Sequence, residues 1–289
     1  MKESKQRILL SNGVLMNEPM IDLMINSGIE YTKVTLFANP EEQKEWQNIN
    51  QETYKKIIKN VETASKKGLK VIVNTVMWKD NIKSLENLTK ICEDIGVNWI
   101  KMIRKRNSNY SDEYIQDSDM NKVVETVEKA KLNTDVRLNF SLTFAGPNFY
   151  GKSLEEAKKK LPPNLGEWIK SPYLCPSIDN NYWGTSLKRG SVFWCYFITD
   201  DPIAKIGSID KKGNITLNKN RVDLSAETLK ENLEGICSKN RCEYQQICLG
   251  GCRSTAYTFA KFKGEKNPLY AGMDTCLTKV YKRVMEGGK

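Results

Sequence analysis

Three times in the first hundred residues an amphipathic stretch closes on a glycine and an apolar run follows at once. Gly28 precedes IEYTKVTLF, Gly68 precedes LKVIVNTVM and Gly96 precedes VNWIKMI. Glycine just past a helix takes the left-handed turn that satisfies the last carbonyls, so the recurring unit is helix, glycine, strand. Tyr54, Ile57, Ile58 and Val61, then Leu85, Leu88, Cys92 and Ile95, recur at three- and four-residue spacing, which gives one apolar face per helix. The pattern predicts helices near 17–27, 50–67, 82–95 and 119–132. Strands are predicted near 7–11, 30–37, 69–76 and 97–104, with a weaker one at 135–144. Strands that are apolar throughout, separated by such helices, imply an α/β fold with a parallel sheet covered by helices.

The pattern stops at Pro162-Pro163-Asn164-Leu165-Gly166. Beyond it the chain is rich in Gly, Cys and aromatic residues, and seven of the eight cysteines lie there. Such composition is expected where bound metal replaces much of a hydrophobic core. Two domains are therefore expected, 1–168 and 169–289.

The chain has no histidine, which excludes Ser-His-Asp and Cys-His catalysis and every imidazole ligand. Any metal has to be held by thiolate or oxygen. The formal charge of +10 comes from 36 Lys against 9 Arg, scattered among Asn and Glu. Guanidinium forks that read bases are scarce, so the excess reads as a solvated surface suited to an acidic peptide rather than to nucleic acid. No apolar run approaches the roughly 20 residues of a membrane span, and MKESKQR at the start lacks a signal peptide's apolar segment. A soluble cytoplasmic protein without a membrane partner is expected. In that compartment, eight cysteines point to metal or redox chemistry rather than to disulfides.

The cysteines follow a spacing. Cys175 is followed by fourteen residues, Gly190, four residues and Cys195; then come Cys237-x4-Cys242-x5-Cys248-x3-Cys252 and finally Cys276. Closely spaced thiolates followed by a distant one can wrap an iron–sulfur cube. The four at 237, 242, 248 and 252 suit a structural zinc equally well, but zinc leaves Cys175, Gly190, Cys195 and Cys276 without a reason. Cys92, on the apolar stripe of a helix, reads as a packing thiol.

This arrangement, with the LGGCR run at Leu249 to Arg253, resembles the radical SAM enzymes that carry a SPASM domain, whose signature runs C, nine to fifteen residues, G-x4-C, then C-x2-C-x5-C-x3-C and a last cysteine. One spacing departs: four residues, not two, separate Cys237 from Cys242. The resemblance implies two auxiliary [4Fe-4S] clusters, one on Cys175, Cys195 and Cys252 and the other on Cys237, Cys242, Cys248 and Cys276. The first then keeps an iron open to water, to an oxygen ligand or to substrate. Tyr182 to Cys195, with Lys188-Arg189-Gly190 at its turn, looks like a hairpin bearing one ligand.

The resemblance extends backward. Ser11-Asn12-Gly13, Val34-Thr35-Leu36-Phe37 and Val73-Asn74-Thr75-Val76 look like successive strand ends of a radical-SAM-type (βα) barrel. Ligands bind at the carboxyl ends of such strands. The family site would place Asn12, Thr35 and Asn74 beside S-adenosylmethionine. The alternative is that Asn12 and Gly13 form a turn while Thr35 and Asn74 satisfy backbone groups.

The family's C-x3-C-x2-C and GGE-type motifs do not occur in this sequence. By the resemblance the chain starts at the barrel's third strand, a partial barrel followed by a Cys-rich domain. It is expected to be inactive alone, to bind S-adenosylmethionine only when the missing segment is supplied, and to leave Ile8-Leu9-Leu10 as an unpaired apolar edge. The implied partners are a peptide or protein substrate, an electron donor and a separate N-terminal fragment. The alternative function is a non-catalytic Cys-rich scaffold, holding zinc or a cluster, that binds a peptide.

Overall fold

The computed structural model describes residues 8–105, 115, 119–140, 175, 178, 184–186, 189–195, 198–238 and 245–272. These fall into two compact units. The expected boundary at 168/169 and the Pro162–Gly166 segment lie outside the described residues.

In the first unit, five parallel strands stand in sequence order: β1 (Ile8–Ser11), β2 (Tyr31–Thr35), β3 (Lys70–Met77), β4 (Trp99–Arg104) and β5 (Arg137–Phe140). Helices α1 (Glu18–Asn26), α2 (Pro40–Gln47), α3 (Gln51–Lys66), α4 (Leu85–Asp94) and α5 (Met120–Leu132) make the crossovers. Sequential parallel order with a helix after each strand is the rule of a (βα) barrel, here a partial one. The first three helices start on asparagines: Asn17, Asn39 and Asn50 accept from the N–H groups of Met20, Glu42 and Thr53. These bonds satisfy donors that the first turn leaves unpaired.

The periodicity places every one of the expected helices and strands. It misses α2, whose Asn39-Pro40 start is a sound cap but which buries only Gln43 and so shows no apolar stripe. Ile57, Val61, Val34, Val73, Ile100, Val123 and Val127 are fully buried. Each such side chain contributes about 1.5–3 kcal/mol by leaving water. Among the described residues β1 pairs only with β2, and Leu10 there is 73% exposed.

The second unit holds an antiparallel sheet of β6 (Gly184–Ser186), β7 (Ser191–Phe193), β8 (Lys205–Ile209) and β9 (Ile215–Leu217). Gly184 pairs with Phe193 and Ser186 with Ser191, so the expected hairpin exists, with Gly190 at φ 56° in its turn. Among the described residues three α-helices follow: α6 (Ala226–Asn232), the single turn α7 (Gln245–Cys248) and α8 (Arg253–Phe262). Val192, Trp194, Ile206, Leu224, Leu229, Leu233 and Leu249 form the core together with Cys175 and Cys195. No described helix is long and apolar enough to cross a membrane.

Candidate functional site

Parallel strands in register arrange their side chains in rows. Leu10 pairs with Lys33, Lys33 with Ile72 and Ile72 with Trp99. Two residues further along, Thr35 pairs with Asn74, Asn74 with Lys101 and Lys101 with Asn139. Asn12 follows β1 directly, two residues past Leu10, and continues this row by count. Side chains alternate along a strand, so both rows share one face of the sheet. Val34, on the other face, packs near Ile57 of α3: a Cβ on Gly13 would come within 3.0 Å of both.

The polar row lies between two apolar clusters. Tyr31, Ile72 and Trp99, with Ile8, close it toward the amino ends of the strands; Phe37, Val76 and Trp78, with Ile103, close it toward the carboxyl ends. Trp46 stacks on Trp78 with centroids 6.2 Å apart and planes 14° from parallel, and Lys105 Nζ stands 5.3 Å from the Trp78 ring. Within the row, Asn74 Oδ1 is buried without a hydrogen-bond partner, and so is Trp99 Nε1 beside it. Burial and the neighbouring Lys33 pull the Lys101 ammonium down to about 8, and burial lowers Lys33 as well.

The turn at the end of β1 is built by its own residues. Asn12 Oδ1 accepts from the N–H of Val14 at 3.1 Å, Ser11 Oγ accepts from that of Gly13 at 3.0 Å, and Asn60 Nδ2 of α3 donates to the carbonyl of Gly13 at 2.8 Å. Gly13 has φ 80° and no room for a side chain, which accounts for the glycine. Asn12 thus serves the turn through its oxygen. Asn74 does the opposite: its oxygen satisfies no backbone group.

In the second unit the cysteines gather about a cation. Arg253 opens α8 and is fully buried. Its Nη2 donates to the carbonyls of Gly250 at 2.6 Å and Ala271 at 2.8 Å, and its Nη1 to that of Leu269 at 3.4 Å. Gly250 makes this possible, since at φ 77° a Cβ there would stand 2.6 Å from Nη2. Burial lowers the guanidinium's pKa, while Cys175, Cys237, Cys248 and Cys252 are near enough to push it back up. Cys252 Sγ lies 3.3 Å from Ser254 Oγ, and a Cβ on Gly272 would stand 2.7 Å from Cys237 Sγ.

Cys175, Cys195, Cys237, Cys248 and Cys252 are thiols, not disulfides. Cys242 and Cys276 lie outside the described residues. Among the described residues no three thiols or carboxylates are grouped closely enough to hold a metal ion. Cys175, Cys195 and Cys252 are buried and Cys237 and Cys248 half-buried, and Arg253 carries a positive charge near four of the five, a charge of the sign that thiolate ligands would need beside them. Cys92, by contrast, is fully buried among helix side chains, and burial pushes its thiol up, as a packing residue requires.

Sequence reasoning missed Lys33 and Lys101. Their signal was available: each is a lysine inside a largely apolar strand, Lys33 in YTKVTLF and Lys101 in WIKMI.

No family model and no curated protein sequence matches the chain. Its fold is similar to solved structures. Streptococcus suis SuiB bound to S-adenosylmethionine aligns at TM-score 0.55 and 15% identity, over 92% of this chain and 57% of SuiB. Native anSMEcpe with bound AdoMet aligns at 0.61 and 15%, over 97% of this chain and 72% of its own. SuiB bound to the precursor peptide SuiA aligns at 0.59 and 14%, over 94% and 58%. The chain thus spans little more than half the length of SuiB. The likeness establishes the fold, a parallel α/β sheet forming a partial radical-SAM-type barrel.

Proposed function

We propose that this chain is an iron–sulfur protein of the radical SAM/SPASM class, related to enzymes that modify peptides or protein side chains. The observation that carries the reading is the conjunction of a partial barrel of this type with seven cysteines whose spacing runs Cys175, Cys195, Cys237, Cys242, Cys248, Cys252 and Cys276. The solved structures similar to it include one with bound S-adenosylmethionine and one with a precursor peptide. A site of this class supplies hydrogen-atom abstraction from substrate.

The chain's own residues would bind and orient. Thr35, at the carboxyl end of β2, and Asn74, midway along β3, would border the cofactor, with Asn12 in the turn that follows β1. Asn74 Oδ1 is an unsatisfied acceptor suited to an amino or amide N–H. The seven cysteines would hold two auxiliary [4Fe-4S] clusters, and Arg253 would offset the charge their thiolates bring. The thiolates of a C-x3-C-x2-C segment are not in this sequence, so the chain alone is proposed to generate no radical. A second reading, a non-catalytic Cys-rich peptide-binding scaffold that holds zinc or a cluster, draws on the Lys-rich composition and on the missing C-x3-C-x2-C motif.

Iron, zinc and acid-labile sulfide in anaerobically reconstituted protein separate the two. About eight irons and as many sulfides per chain are expected for two cubes. Stoichiometric zinc without sulfide supports the scaffold instead.

A further inference from the structure

The five parallel strands contain Lys33, Lys70, Lys101, Arg104 and Arg137 and no Asp or Glu. Lys70 has a local partner in Tyr31, whose hydroxyl lies 3.5 Å from its Nζ and whose ring centroid lies 5.0 Å away. Lys33 and Lys101 have no hydrogen-bond or ion-pair partner among the described residues, yet they share one face, two strands and two residues apart across β3, and the Lys33 charge acts on Lys101. Both are half-buried, and burial lowers the pKa of each, so these ammoniums lose part of their hydration with no opposite charge to offset it. Two on one face, between two apolar clusters, form a place built for an anion.

We propose that the face bearing Lys33, Thr35, Asn74 and Lys101 binds a carboxylate, contributed by an acidic side chain of a peptide. This rests on the peptide-modifying reading and names its substrate class. The two ammoniums take the carboxylate oxygens and the Thr35 hydroxyl can donate a third hydrogen bond. Asn74 Oδ1 then accepts from the N–H that accompanies a carboxylate in any peptide residue. The cofactor's amino-acid end carries the same pair of groups, which makes S-adenosylmethionine the competing occupant of this face. The surplus of 45 cationic over 35 acidic side chains would draw such a peptide in from solution.

Competitive trace acetylation of the full chain, read lysine by lysine by mass spectrometry, tests this without iron. The probes are N-acetylglutamate N-methylamide, its glutamine counterpart and S-adenosylmethionine. Without probe, Lys101 should label with a midpoint near 8. Saturating glutamate probe should slow labelling of Lys33 and Lys101 at neutral pH by about tenfold or more, equivalent to a rise of about one pH unit in the midpoint. The exposed Lys205 should be unaffected. The glutamine probe should protect neither, Lys33→Met should remove the protection of Lys101, and Lys70→Met should retain it. Equal protection by the two probes, or none, overturns the proposal. Protection by S-adenosylmethionine alone gives the lysines to the cofactor and also overturns it. Glutamate protection in a chain that takes up no iron keeps the carboxylate site and defeats the enzymatic reading, so the two failures are told apart.

Discussion

The two units obtain their order from opposite kinds of centre. In the first, the strands are backed largely by aliphatic side chains, and the row of Thr35, Asn74 and Lys101 lies on the face opposite Val34. In the second, a modest aliphatic core encloses a polar heart: Arg253, Ser254 and Thr255 are almost wholly buried, and the guanidinium ties three carbonyls from two separate loops. A centre made of directional bonds tolerates less change than one made of packing. It also leaves little periodicity for a sequence reader to follow.

The sharpest way to break this contrast is Arg253→Met. It leaves three buried carbonyls without their donor, and the second unit should lose about 3–5 kcal/mol. Hydrogen exchange of β3 and β4 should be unchanged while protection in 253–262 collapses. If both units loosen together, they are not separate sources of order. Next, Gly13→Ala should cost about 2 kcal/mol in denaturant unfolding of the first unit, since the left-handed backbone and the contact with Ile57 both oppose a side chain.

Lys101→Met should move stability the other way. Between pH 8 and about 10.4 the unfolded chain binds more protons at this site than the folded one, so stability of the native first unit rises with pH through that window. The variant should be flat there and more stable by about 1–2 kcal/mol at pH 7 in buffer free of carboxylates. A loss of stability would mean that the ammonium already has a partner.

The smallest effect concerns Asp201, whose Oδ2 accepts from Tyr257 Oη at 2.9 Å and Lys261 Nζ at 2.7 Å. Burial raises its pKa, but those bonds and the N–H of Ile203 outweigh it and hold the carboxyl below its ordinary value. Its contribution is present above the unfolded value near 4 and lost as pH falls through the depressed one. Asp201→Asn should remove this acid limb from the second unit's stability profile and leave the neutral plateau nearly unchanged.

Much of the first unit was legible because its chemistry is repetitive. Gly28, Gly68 and Gly96 mark helix ends at φ 74°, 85° and 72°, and Ile57 and Leu88 sit on the faces their spacing implies. Asn74 could be singled out from its place in an apolar strand. That it would stand beside Lys101 could not, because register between strands is set by tertiary packing and leaves no mark on either strand alone. In the second unit, Cys175, Cys237, Cys248 and Cys252 each lie near enough to act on Arg253. The buried Arg253 among them escaped notice, since a lone arginine after a cysteine resembles any surface cation until its burial is known.

The most direct test of the account is the Mössbauer spectrum of the chain after anaerobic reconstitution with iron and sulfide. Two [4Fe-4S] populations of comparable area are expected, one of them lost on Cys175→Ala and the other on Cys248→Ala. A chain that takes up no iron, or whose spectrum ignores both substitutions, contradicts it.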